Sequence, residues 1–261
     1  MTEEVPLEGL REEKYGRVLC YPRYDPEELE RRLKELKGLG VETLEFIGEK
    51  RVFDAPVLGK GCVGIVILAH RAADKAKMAV ALKVRRMDAD RAGMQREAEM
   101  LRRANAVDVG PKLLDVTENF LVMEFIPGKT FAQWIQELEE RGTKALIRGV
   151  LRDLLEQGWR LDGAGLDHGQ LSRAPKHILI NGENKPSILD FEAASTIRRC
   201  SNVTSLCQFL LLGSPTAKVV EKRLGGKIPR DRLIKALRDY TQAPTKENFD
   251  QILNLCKLTK A

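Results

Sequence analysis

Apolar and polar positions follow one rhythm up to residue 126 and another beyond it. Residues 26–39 carry Leu29, Leu33 and Leu36 on one helical face, with Asp25 as cap, Pro26 at the first position and Gly38 and Gly40 at the end. Residues 42–47, 50–57, 63–69, 78–85 and 119–126 are short apolar runs that predict strands, with a turn near Asp74 joining the third to the fourth. Residues 88–104 predict a helix. Pro127-Gly128 is the strongest break in mid-chain. After it, helical spacing takes over at 130–140 and at 143–160, where Leu146, Val150, Leu154 and Leu155 share a face. A strand pair at 177–180 and 186–191, turned at Asn181-Gly182, interrupts the helices. Helices resume at 203–212, 216–224, 229–240 and 245–257. The pattern predicts an α+β chain in two parts. Residues 1–126 are expected to be strand-rich with an N-terminal helical extension, and residues 127–261 mainly helical.

Composition narrows the class. The chain has 261 residues, 43% of them hydrophobic, which suits a globular protein and excludes disorder or a fibrous repeat. The five cysteines form no CxxC pair, so neither a zinc site nor a disulfide framework is expected. No apolar leader opens the chain and no run approaches 18 apolar residues, so a cytoplasmic protein without membrane contact is expected. Lys and Arg exceed Asp and Glu by 44 to 38, a net charge of +6 that points to an anionic partner.

Candidate chemistry begins at 58-LGKGCVGIV-66, where Gly59, Gly61 and Gly64 are spaced G-x-G-x-x-G ahead of Val66. In a dinucleotide fold a helix follows such glycines. Here the chain continues as a strand, which suits a glycine flap whose backbone N–H groups cover phosphates. In 80-VALK-83 the charge of Lys83 sits in an apolar strand, a costly place without a partner. Glu97, fourteen positions on and four before Leu101, is placed to supply one. Glu99 lies about 200° further around the same helix. The run 121-LVMEFIPG-128 is an apolar strand that ends at Glu124 and a bend.

Flap, strand lysine, helix glutamate and bend occur in the order of the protein-kinase-like superfamily. Over about residues 50–213 the chain resembles its small atypical members, near the RIO kinases and the kinase of the tRNA-threonylcarbamoylation complex. It is especially similar to archaeal proteins described as predicted Ser/Thr kinases. The resemblance implies a two-lobed fold, an antiparallel N-lobe and a helical C-lobe, with ATP and Mg²⁺ as cofactors. Backbone groups near Glu124 would then meet the adenine edge.

The catalytic segment departs from the family pattern. In 166-LDHGQLSRAPKHILI-180, His168 and Gly169 match, Gln170 stands at the catalytic Asp position, and His177 falls at the Asn position with two extra residues in the loop. An amide takes no proton near neutral pH, so Gln170 is limited to orienting an acceptor by hydrogen bonds. Asp167 is the nearby carboxylate. In 189-LDFEAAS-195, Asp190 is retained as the Mg²⁺ carboxylate and Glu192 replaces glycine; His177 is a second candidate metal ligand. Asn202 precedes an apolar helix as a cap. Only about ten residues separate Asp190 from that helix, too few for a long activation loop.

The expected function is an ATP-dependent phosphotransferase, an atypical Ser/Thr protein kinase acting on itself or a partner protein. A small-molecule kinase of aminoglycoside-phosphotransferase type and an ATP-binding pseudokinase are the alternatives. The basic stretch 218–238 adds an RNA-associated complex as a possible partner.

Overall fold

The computed structural model describes residues 3–73, 76–139, 142–226 and 228–259. The expected turn near Asp74 and residue 140, the end of the expected 130–140 helix, lie outside these residues. The fold is α+β, with an antiparallel sheet toward the N-terminus and helices toward the C-terminus. Two compact units are present: Met1–Glu99 with Lys112–Phe125, and Met100–Pro111 with Ile126–Ala261.

The first unit is built on an antiparallel sheet. Its strands are β1 (Glu3–Pro6), β2 (Val41–Phe46), β5 (Gly59–Lys60), β6 (Gly64–Ala73), β7 (Ala76–Arg85), β8 (Leu113–Val116) and β9 (Phe120–Glu124). The order is β1-β2-β6-β7-β9-β8, and β5 pairs with β6. The 50–57 segment, expected as one strand, is a hairpin of β3 (Lys50–Val52) and β4 (Ala55–Val57), because Phe53 turns the chain at φ 52°. Alternation along β7 decides what faces where. Val80, Leu82 and Val84 enter a core with Phe120 and Val122 from β9. That core also takes Val18 and Leu19 from α1 (Glu13–Leu19) and Leu29, Leu33 and Leu36 from α2 (Pro26–Gly38). The Asp25 side chain caps α2 by accepting from the backbone of Glu27 and Glu28. On the other face, Leu121 packs against Met94 and Ala98 of α3 (Gly93–Asn105). Helix α3 begins later than residue 88 because Asp90 makes a turn first, its side chain accepting from Ala92 N and its carbonyl from Gly93 N.

In the second unit a small sheet joins β10 (Gly128–Thr130), β11 (Ile178–Asn181) and β12 (Pro186–Ile188). A Cβ at Gly128 would stand 2.4 Å from the Ile180 carbonyl oxygen, so this approach of two strands needs glycine. β12 stops at Ile188 rather than 191, since Asp190 takes φ 69° and leaves strand geometry. The helices are α4 (Phe131–Glu137), α5 (Lys144–Gly163), α6 (Asn202–Cys207), α7 (Pro215–Leu224), α8 (Arg230–Gln242) and α9 (Lys246–Leu255). The expected 203–212 helix changes register after Cys207 into a π-helical turn, Gln208–Leu212, where Gly213 N donates to Gln208 O. α5 buries Ile147, Val150, Leu151, Leu154, Leu155 and Leu161. Gly158 lets α6 close in, as a Cβ there would meet Leu206 at 2.8 Å. Among the described residues no single helix is long and apolar enough to cross a membrane.

Candidate active site

In the first unit, β5 and β6 form the two sides of the glycine flap. Gly59 pairs with Val66 and Lys60 with Ile65, and Gly61 N donates to Gly64 O at 2.8 Å to close the turn. Across the sheet Val66 lies opposite Lys83. A Cβ at Gly64 would come within 3.0 Å of Lys83 Cγ, so the glycine makes room for the lysine side chain. Lys83 Nζ donates to both carboxylate oxygens of Glu97, at 2.9 and 2.7 Å. The side chains of the pair are only 6% and 3% exposed. A buried ammonium would be strongly destabilising alone, so this pair links β7 to α3. Glu99 is exposed. Glu124 lies at the end of β9 with its carboxylate turned back onto Lys112 N at 3.2 Å, and its own N–H is taken by Lys112 O.

In the second unit the 166–180 segment is tied down from several sides. Asp167 and Ser195 exchange backbone hydrogen bonds of 2.9 and 2.8 Å. The Asp167 carboxylate accepts from Arg198 Nε at 2.9 Å and from Ser201 N and Oγ at 3.1 Å. Both carboxylate oxygens of Asp167 are thus engaged within the loop. His168 is fully buried; it donates from Nε2 to Leu189 O at 2.9 Å and stacks edge-on against Phe191. Burial lowers its imidazole to about 4, so it is neutral at ordinary pH. Gly169 takes φ 84°, and Gln170 follows with an exposed side chain. His177 Nδ1 stands 3.5 Å from Asp190 Oδ2.

Asn202 does not cap α6. Its side chain accepts from His168 N and donates to Asp162 Oδ1 and Leu166 O. The capping is done by Asp162 instead, which accepts from the backbone N–H groups of Asn202 and Val203 and from the Tyr240 hydroxyl. Burial raises the Asp162 carboxyl, opposed by these hydrogen bonds. Asp162, Tyr240 and Arg198 were not singled out by sequence reasoning. Their roles depend on partners 31 to 78 positions away, for which local pattern carries no signal.

The donor set can be tested against the cofactors. Among the described residues no group of three His, Cys, Asp or Glu is arranged to hold a metal ion. Mg²⁺ is typically held by one or two carboxylates, with phosphate and water oxygens filling the remainder. Asp190, 38% exposed, fits that role. His177 suits it poorly, since Mg²⁺ prefers oxygen ligands to an imidazole nitrogen. On the phosphate side, side-chain-free backbone at Gly59, Gly61 and Gly64 beside a paired lysine fits a nucleoside triphosphate.

A family model described as RIO domain matches residues 69–204. That span includes Lys83, Glu97, Gln170, His177 and Asp190 and begins beyond the flap glycines. No curated protein matches the chain. The matched family consists of kinase-like transferases. With just over half of its length matched, the chain belongs to the RIO domain family, an atypical protein kinase family within the protein-kinase-like superfamily.

Proposed function

We propose that the chain transfers the γ-phosphate of ATP to a Ser or Thr hydroxyl, on itself or on a partner protein. The observation that carries this reading is the buried two-oxygen contact of Lys83 with Glu97 beside the glycine flap. An ammonium held this rigidly next to unhindered backbone is suited to binding α- and β-phosphates. The backbone of Gly59, Gly61 and Gly64 covers the phosphates, and Val66 supports the flap from β6. Asp190 holds Mg²⁺, which when bound offsets phosphate charge. Gln170 orients the acceptor hydroxyl without taking its proton. In the transfer a bond forms from the acceptor oxygen to phosphorus, the bond to ADP breaks, and the hydroxyl proton leaves to solvent. Such a reaction depends mainly on position and charge, so an amide at 170 is compatible with turnover. The five cysteines, all unpaired, suit the reducing cytoplasm.

The test is radiolabel transfer from γ-labelled ATP with Mg²⁺, comparing wild type, Lys83→Ala and Asp190→Ala. Label on the wild-type chain or on a protein acceptor, lost in both variants, supports the reading. ATP binding without transfer to any acceptor would replace it with a nucleotide-binding switch.

A further inference from the structure

We infer that Tyr21 is a positioning residue that holds the glycine flap and, through it, sets the affinity for ATP. The second part rests on the phosphotransferase reading above.

The Tyr21 ring is flanked by two cations of the flap region. Lys60 Nζ, on β5, lies 4.6 Å from the ring centroid, and Arg86 Cζ, one residue past β7, lies 4.9 Å from it. Arg86 is itself wired into the flap: its N–H donates to Val63 O at 2.9 Å and its Nη1 reaches Gly61 O at 3.4 Å. Asp88 holds the same guanidinium through two bonds of 2.8 and 2.7 Å. The flap is thus fixed to one aromatic ring on its β5 side directly and on its β6 side through Arg86. Phe53 closes the edge of that ring at 5.6 Å.

A brace works only if it is anchored, and Tyr21 is. Met87 N donates to Tyr21 O at 2.8 Å. Arg32 of α2, fully buried, bonds both Leu19 O and Arg85 O through one nitrogen, Nη1. That nitrogen joins the chain two residues before Tyr21 to the chain one residue before Arg86. Arg32 is held in turn by Glu28 and by Asn119 Oδ1, which also accepts from Arg85. Burial raises the Glu28 carboxyl, but hydrogen bonds from Arg32 and Arg31 outweigh it and keep the group ionised. The N-terminal segment therefore carries a rigid, charge-paired base with one aromatic ring at its tip, and that ring meets the flap.

The experiment measures hydrogen–deuterium exchange of the nucleotide-free full chain and ATP affinity by calorimetry, for wild type, Tyr21→Ala, Tyr21→Phe and Lys60→Met. Tyr21→Ala should speed exchange across 59–64, leave α2 unchanged and weaken ATP binding about tenfold, from the loss of two cation–π contacts. Tyr21→Phe keeps the ring and should match wild type in both. Wild-type flap exchange in Tyr21→Ala, or equal acceleration in Tyr21→Phe, overturns the brace. Faster flap exchange with unchanged ATP affinity overturns the link to the nucleotide. If Tyr21→Ala exchanges faster everywhere, the exposed change Lys60→Met decides, and flap-limited acceleration there supports the brace while wild-type exchange overturns it. A wild-type chain that binds no ATP overturns the phosphotransferase reading and not the brace, which the exchange judges alone.

Discussion

Arg198 ties Asp167 to the stretch that follows Asp190. Its Nε donates to Asp167 Oδ2 at 2.9 Å, and its Nη2 donates to the Ala193 carbonyl at 2.6 Å. Asp167 leads directly into His168-Gly169-Gln170, and Ala193 lies three residues after Asp190. One guanidinium thereby sets the spacing of two segments that carry proposed site residues. It crosses directly over Gly169, where a Cβ would stand 2.3 Å from Nη2 and 3.0 Å from Ala193 O.

Gly169→Ala should therefore lower stability by about 1–3 kcal/mol, from a left-handed backbone that alanine resists and from displacement of Arg198. Arg198→Ala should cost about 1 kcal/mol or less, because the arginine is half exposed and its ion pair is screened. Urea unfolding of both variants checks the order. Equal losses would mean that the guanidinium, rather than the backbone conformation, carries the strain.

Glu97→Gln removes the anion and leaves the Lys83 ammonium buried with a neutral partner. Loss of about 3 kcal/mol of stability is expected, as for a broken buried pair. ATP affinity should fall as well, since the lysine loses its fixed position. Thermal unfolding with and without Mg-ATP reads both effects. An unchanged midpoint would show that the pair is not desolvated as its 6% and 3% exposures imply.

His168 predicts an acid limit. Its imidazole protonates at about 4 in the folded chain against an ordinary 6.5, because burial disfavours the cation. A lowered value means that the unfolded chain binds the proton first. The stability gained by keeping His168 neutral is complete above pH 6.5 and is lost as pH falls from 6.5 toward 4, about 3 kcal/mol in all. Urea midpoints across that window should slope downward for wild type and more weakly for His168→Gln. Parallel slopes would sink the assignment.

Gln170→Asp restores a carboxylate at an exposed position next to the loop glycine. Under the phosphotransferase reading the rate of label transfer should rise roughly tenfold, below the range of full general-base catalysis because position and charge dominate the transition state. Stability should stay within about 0.5 kcal/mol of wild type, as for other surface changes. A fall in rate would show that the amide itself makes the productive contact.

Legibility in the sequence followed the range of the forces involved. The stripe of Leu29, Leu33 and Leu36, the cap at Asp25 and the short apolar runs of β6, β7 and β9 are local signals, and those elements form where the pattern puts them. Lys83 in an apolar strand signalled a need for an anion within reach, and Glu97 meets it. Strand β1 was missed because EEVP has one buried apolar residue, Val5, and its pairing is with β2, distant in the sequence. The end of β12 was missed because nothing local announces a left-handed aspartate at 190. One signal was available and unused: Arg32 interrupts the leucine stripe of α2, and a charge in an apolar face points to a buried pair.

The sequence by itself determined the two rhythms, the helix caps made by neighbours, the glycine flap and the residue types at the proposed site. These follow from backbone sterics and from the period of apolar burial, which act over a few residues. Only the tertiary structure decided that Arg32 would meet Asn119 87 positions away, that Asn202 would hold His168 N rather than cap a helix, and that Asp167 would be taken by Arg198. A desolvated charge or amide must find a partner, but its type does not say which. That choice belongs to whichever distant groups the packing of the chain brings within hydrogen-bonding distance.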